Sequence, residues 1–136
     1  MSYGVAVALQ AAVYQRLAGS AELVALVGTA IYDAVPPAAA GGTYVSLGPE
    51  KVLDKSDYTT RAAEHEFVVS VVTDAAGFQT AKQIATSVSD ALIGAQLVLG
   101  RGRLIGLWFL RAVARRVETG RMRQIDLTFR ARVDDN

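Results

Sequence analysis

The sequence has no cysteine, a single histidine (His65) and only three prolines in 136 residues. Without cysteine there is no disulfide framework, no thiolate nucleophile and no cysteine-ligated metal. One histidine excludes any site that needs two, and isolated histidines are more often structural than catalytic. A Ser–His pair would have to use His65, yet Ser46 in TYVSLG has Tyr44 where a nucleophile elbow needs glycine. Phosphate-cradling loops are missing as well. GRGRLIG, residues 100–106, carries three glycines at the wrong spacing and leads into a strand pattern, whereas such loops open a helix. Its role is read as a turn or bulge. No catalytic constellation remains, and no cofactor or metal is expected.

Long hydrophobic runs are also absent. The apolar stretch from Gly4 to Tyr14 is interrupted by Gln10 and closed by Arg16, and no Lys or Arg precedes it. It lacks the basic start of a secretory signal and is too short to span a bilayer. The expectation is a soluble cytoplasmic chain with no membrane partner. A hydrophobic fraction of 51% and a charged fraction of 20% fit one ordinary globular domain over residues 1–136.

What is present is patterned. Val5, Leu9, Val13 and Leu17 recur four apart with Ala8 and Ala12 beside them, the stripe of an amphipathic helix ended by Gly19-Ser20. Ser20 can cap a short further turn over residues 21–27. Residues 31–35 read as an extended piece stopped by Pro36-Pro37, and the following AAAGG as a loop. Residues 43–47 read as a strand broken by Gly48-Pro49. His65, Phe67, Val69 and Val71 alternate along a strand whose second face also turns apolar at Val68 and Val72, which predicts a central position. Asp74 stands as the N-cap of a second main helix running to Gly94, with Phe78, Ala81, Ile84, Ala85, Val88 and Leu92 at helical spacing. Leu97–Leu99 reads as a short strand. Two long strands follow, 103–117 and 122–133, hinged at Glu118-Thr119-Gly120. In the last one Ile125, Leu127, Phe129, Ala131 and Val133 share one face, and Gln124, Asp126, Thr128, Arg130 and Arg132 the other. The fold class is α+β: an antiparallel sheet with two main helices on one face and a long C-terminal hairpin.

Two charged regions are candidates for function. Glu50, Lys51, Asp54, Lys55, Asp57 and Arg61 fall in a polar stretch, 50–63, read as a mobile, solvated, partner-facing loop or loose hairpin. Its carboxylates match no cation-binding motif, and the interleaved bases offset their charge. The C-terminal hairpin carries seven of the fourteen basic residues, all arginine: Arg111, Arg115, Arg116, Arg121, Arg123, Arg130 and Arg132. Residues 1–100 hold five basic and nine acidic side chains, a balance of −4, and residues 101–136 hold nine and four, a balance of +5. Such a split fits a basic binding face or two complementary surfaces meeting between copies. Arginines near the tip suit nucleic acid, but Trp108, Phe109 and Phe129 lie too far down the strands to serve as stacking platforms. Solvated hairpin, protein contact and nucleic-acid contact all stay open on residues alone.

The order of elements resembles the phage tail terminator, or tail completion, family of tailed phages, prophages and gene transfer agents. ALQAAVYQRLAGSAELVALVG, IYDAVPPAAAGGTYVSLG, HEFVVSVVTDAAGF, VSDAL, GRLIGLWFLRA and IDLTFRARV carry the likeness, which covers nearly the whole chain. ALQAAVYQRL, AIYDAVP and DAAGF resemble the gene transfer agent versions. The resemblance implies a non-enzymatic virion subunit, assembled in the bacterial cytoplasm. It would form a ring, typically a hexamer, at the head-proximal end of a tail tube, stop tube polymerisation and meet the head-side connector. Double-stranded DNA would pass through without sequence preference. A stopper-type head-completion protein of the same particle is the alternative, and a free non-specific DNA-binding module is another. The seven arginines would then be ring-interface or channel-lining residues.

Overall fold

A computed structural model describes residues 3–136. Helix α1 (Ala6–Ala18) buries Leu9, Val13 and Leu17, and Val5 just before it is equally buried, so the four-apart stripe is the buried one. Helix α2 (Ala21–Val27) begins where Ser20 Oγ accepts a hydrogen bond from the Leu23 amide at 3.3 Å, the side-chain cap that serine at this position supplies. Strand β1 is only Ile31–Tyr32, and one 3₁₀ turn, Pro37–Ala39, interrupts the loop after it.

Strands β2 (Tyr44–Asp54) and β3 (Ala62–Thr73) form a hairpin, α3 (Gln79–Leu92) crosses over, and β4 (Arg103–Val117) and β5 (Met122–Asp134) form a second hairpin. The sheet order is β1-β2-β3-β5-β4. All pairings are antiparallel except the two-residue β1–β2 pair, which is parallel and makes the sheet mixed at that edge. β3 is central, as its two apolar faces imply. α1 and α3 pack with Phe67, Val69 and Val71 of β3 and Leu127, Phe129 and Ala131 of β5 in one core. That side of the sheet is the helix side; the opposite side is open.

Four expectations need correction. β2 does not stop at Gly48-Pro49: the pairing with β3 shifts between Leu47 and Glu50 and then continues to Asp54. A bulge absorbs the proline, which has no amide to donate, and the glycine, where a Cβ would come within 3.1–3.2 Å of the Val68 carbonyl oxygen and Cβ. The stretch 50–63 is therefore half strand, with Val52 packed on the core. Only residues 55–61 connect the strands, and they are tied down: Asp57 Oδ1 accepts from the Thr59 and Thr60 amides at 2.9 and 2.8 Å, and the Arg61 amide donates to Asn136 Oδ1 at 2.9 Å. Helix α3 starts at Gln79 rather than after Asp74. Thr73 Oγ1, not Asp74, accepts the Ala75 amide, and Gly77 at φ 71° turns the chain before the helix begins. Leu97–Leu99 is no strand. Its alternation is real, with Leu97 and Leu99 against the core and Val98 exposed, but no strand pairs with it.

Candidate interaction surface

Register decides what the hairpin arginines can do. β3 and β5 pair so that Ser70 faces Asp126, Glu66 faces Arg130 and Glu64 faces Arg132, all on the open side. Arg132 Nη1 lies 3.8 Å from Glu64 Oε1. Arg130 has its guanidinium 5.4 Å above the Trp108 ring, a cation–π contact. The indole in turn lies across Gly106, where it fills the space a Cβ would occupy. Asp126 is a hub: it accepts from Ser70 Oγ at 2.7 Å and Gln124 Nε2 at 2.8 Å, and pairs with Arg115 at 3.2 Å. Lys51 pairs with Glu66 at 3.5 Å.

Arg123 faces the helix side. It donates to the Gly120 carbonyl at 2.9 Å and its guanidinium stands 6.0 Å from the Phe78 ring. Arg116 is its registered opposite on β4. Like charges directly opposite repel, and with Arg123 fixed from both ends, Arg116 is left to solvent. Arg111, Arg116 and Arg121 are exposed and make no hydrogen bond or ion pair among the described residues. The seven arginines thus divide into four with specific partners inside the subunit and three without.

β4 is the outer strand, fifteen residues long, with no strand on its far side. Ile105, Trp108, Phe109 and Val113 are each 44–50% exposed along it. A bare edge of this length invites unwanted pairing. Two register shifts, at Ile105 and Leu110, and the arginine side chains break its regularity. What meets this edge therefore meets side chains more than a clean backbone ladder.

The acidic group does not gather into one site. Glu50, brought to the helix side by the bulge, accepts from Tyr3 Oη at 3.2 Å and from fully buried His65 Nδ1 at 3.1 Å. The Glu50 charge and this hydrogen bond hold the Tyr3 phenol above its ordinary pKa. Lys51 points to the open side. Hydrogen bonds from the Ser56 hydroxyl and then its amide to Asp54, and from the Thr59 and Thr60 amides to Asp57, keep both carboxyls below the ordinary aspartate value. Lys55 and Arg61 are exposed on the connection. Among the described residues no group of three His, Asp or Glu is placed to hold a metal ion.

The family model for tail completion protein gp17 matches residues 11–134. The chain belongs to the gp17 family of tail completion proteins. It is also similar, at 70% identity and a TM-score of 0.93, to a chain in the virion of a native gene transfer agent particle; the match covers 98% of this chain and 99% of that one. No curated protein matches it. In this tail completion chain, the residues that sequence reading missed are Tyr3, Trp108 and Asp126. Asp126 was legible only as a polar alternate of β5, because its role depends on Ser70, which lies 56 residues away in sequence. The Tyr3–Glu50–His65 network required the bulge, whose signal was Gly48-Pro49 inside an otherwise continuous strand pattern.

Proposed function

We propose that the chain is a structural subunit of a gene transfer agent-like tail. Copies form a ring, a hexamer, on the head-proximal end of the tail tube, stop its polymerisation and present a surface to the head-side connector, while double-stranded DNA passes through. The observation that carries this is the family match over residues 11–134 together with near full-length similarity to a virion chain. The long edge strand β4, half-exposed in apolar side chains and bearing the unpartnered Arg111 and Arg116, supports the assembly: such an edge suits a permanent neighbour better than solvent. The arginines support passage of DNA without sequence reading. Four of the seven are engaged within the subunit, which leaves few free charges, and few phosphate contacts mean weak, mobile binding. The polar residues of the β2–β3 hairpin, Lys51, Lys55 and Arg61 among them, are proposed as a contact for the tube or connector. Native mass spectrometry of the chain, with and without the tube protein, tests the reading. Rings that bind tube ends are expected; a chain that stays monomeric and leaves tube length unchanged overturns it.

A further inference from the structure

On the open side of the sheet almost every charge is answered within the subunit. Lys51 pairs with Glu66, Arg132 with Glu64, Arg115 with Asp126, and Arg130 lies over the Trp108 ring. Arg111 is the exception. It is exposed and has no hydrogen bond or ion pair among the described residues. Register sets it opposite Thr128, which in turn stands opposite Val68. With Ser70, Val113 and Arg115 these residues line a hollow of about 350 Å³ in the open face.

Thr128 marks what the hollow lacks. It is 5% exposed, lines the hollow, and its hydroxyl has no hydrogen-bond partner among the described residues. A hydroxyl buried to that degree ordinarily has one; Ser70 in the same hollow donates to Asp126 at 2.7 Å. A free hydroxyl donor beside a free guanidinium calls for an oxyanion. Asp126, the one acid lining the hollow, is already held by Ser70, Gln124 and Arg115, so its charge is offset. Arginine and threonine are both side chains that hold phosphate oxygens. Arg115 follows four residues along the same face, about 13 Å on in an extended strand. Its pair with Asp126 is half-exposed and so weak enough to be shared. Two cations spaced in this way suit a row of phosphates better than one small ion. Arg116, the other unpartnered arginine of β4, looks to the helix side and takes no part.

Resting on the passage of double-stranded DNA proposed above, we infer that the open side of the sheet is the DNA-facing side. Arg111 and Thr128 together hold a backbone phosphate, with Arg115 as the adjacent contact. The hollow meets phosphate oxygens and no base edge, so the contact carries no sequence preference. Each subunit contributes little, and salt screens all of it.

Fluorescence anisotropy of a short labelled duplex with the full chain at about 50 mM salt tests this. Assembly is read by sedimentation velocity and fold by thermal melting on the same samples. Arg111→Ala is expected to weaken binding by about tenfold or more, and Thr128→Val, which removes the hydroxyl and keeps the shape, by about threefold or more. Arg116→Ala should leave it unchanged, and two duplexes of unrelated sequence should bind alike. A wild type that does not bind duplex, or binding that falls as far with Arg116→Ala as with Arg111→Ala, overturns the assignment. If Arg111→Ala keeps DNA binding and instead raises the concentration needed for assembly, the hollow receives a neighbour's carboxylate; the inference is then lost while the ring stands. A wild type that binds duplex through Arg111 but sediments as a monomer keeps the site and overturns the ring.

Discussion

At the scale of single residues, Phe129 and Glu50 hold the two sides of the hairpin interior together by different means. Phe129 is fully buried between Phe67, stacked at 5.6 Å, and Phe109, edge-on at 5.9 Å. Phe129→Ala removes a ring the surroundings cannot refill and should lower unfolding free energy by about 3–5 kcal/mol in urea titration. A loss under about 1 kcal/mol would mean that the site collapses freely. Glu50 acts through polarity. It is the partner of a fully buried histidine whose other ring nitrogen, Nε2, has none among the described residues. Glu50→Ala strands both nitrogens, and the cost of leaving buried polar groups unpaired puts the expected loss at about 1–3 kcal/mol, with Glu50→Gln losing less. Equal stability of wild type and Glu50→Ala by the same titration would show that water reaches His65 readily.

At the scale of elements, the two hairpin turns behave differently. The β2–β3 connection hangs on Asp57, whose carboxylate collects the Thr59 and Thr60 amides and is held below its ordinary pKa by those hydrogen bonds. A depressed folded-state pKa stabilises the fold above the unfolded value and loses that contribution as pH falls through the folded value. An NMR titration should therefore show Asp57 titrating below a free aspartate, with the Thr59 and Thr60 amide shifts moving together at that midpoint; an unshifted midpoint contradicts the turn. The β4–β5 turn instead carries strain: Glu118 and Thr119 adopt φ of 51° and 54°, ahead of Gly120 at 85°. A left-handed β-branched residue costs on the order of 1–2 kcal/mol, so Thr119→Asn should stabilise by ~0.5–1 kcal/mol in thermal melts. No change would place the strain elsewhere. Helices and strands with clean periods were legible: α1, β3 and β5 follow their apolar spacing within a few residues. Misreadings arose where one local signal stood for a longer-range fact. Gly48-Pro49 looked like a break because a bulge and a strand end use the same residues, and Asp74 looked like a cap because Gly77 had not yet turned the chain.

At the scale of the whole molecule, the sequence made the charge asymmetry visible and left its geometry hidden. That nine acids precede residue 100 and nine bases follow it was countable; that Arg115, Arg123, Arg130 and Arg132 are engaged internally, and Arg111, Arg116 and Arg121 are not, depends on register across strands distant in the chain. The same register sets Ile31 and Ala114 on opposite margins at one height. An interface built from such exposed charges is sensitive to screening, because the distance over which they act falls from roughly 10 Å at 0.1 M salt to roughly 3 Å at 1 M. Apolar contact responds in the opposite sense, as excluded salts such as sulfate strengthen burial. Ring assembly should therefore weaken by about an order of magnitude between 0.1 and 1 M sodium chloride, measured as the midpoint of assembly in a dilution series. Assembly that strengthens with sodium chloride would assign the interface to Ile105, Phe109 and Val113 instead, with the arginines left for DNA.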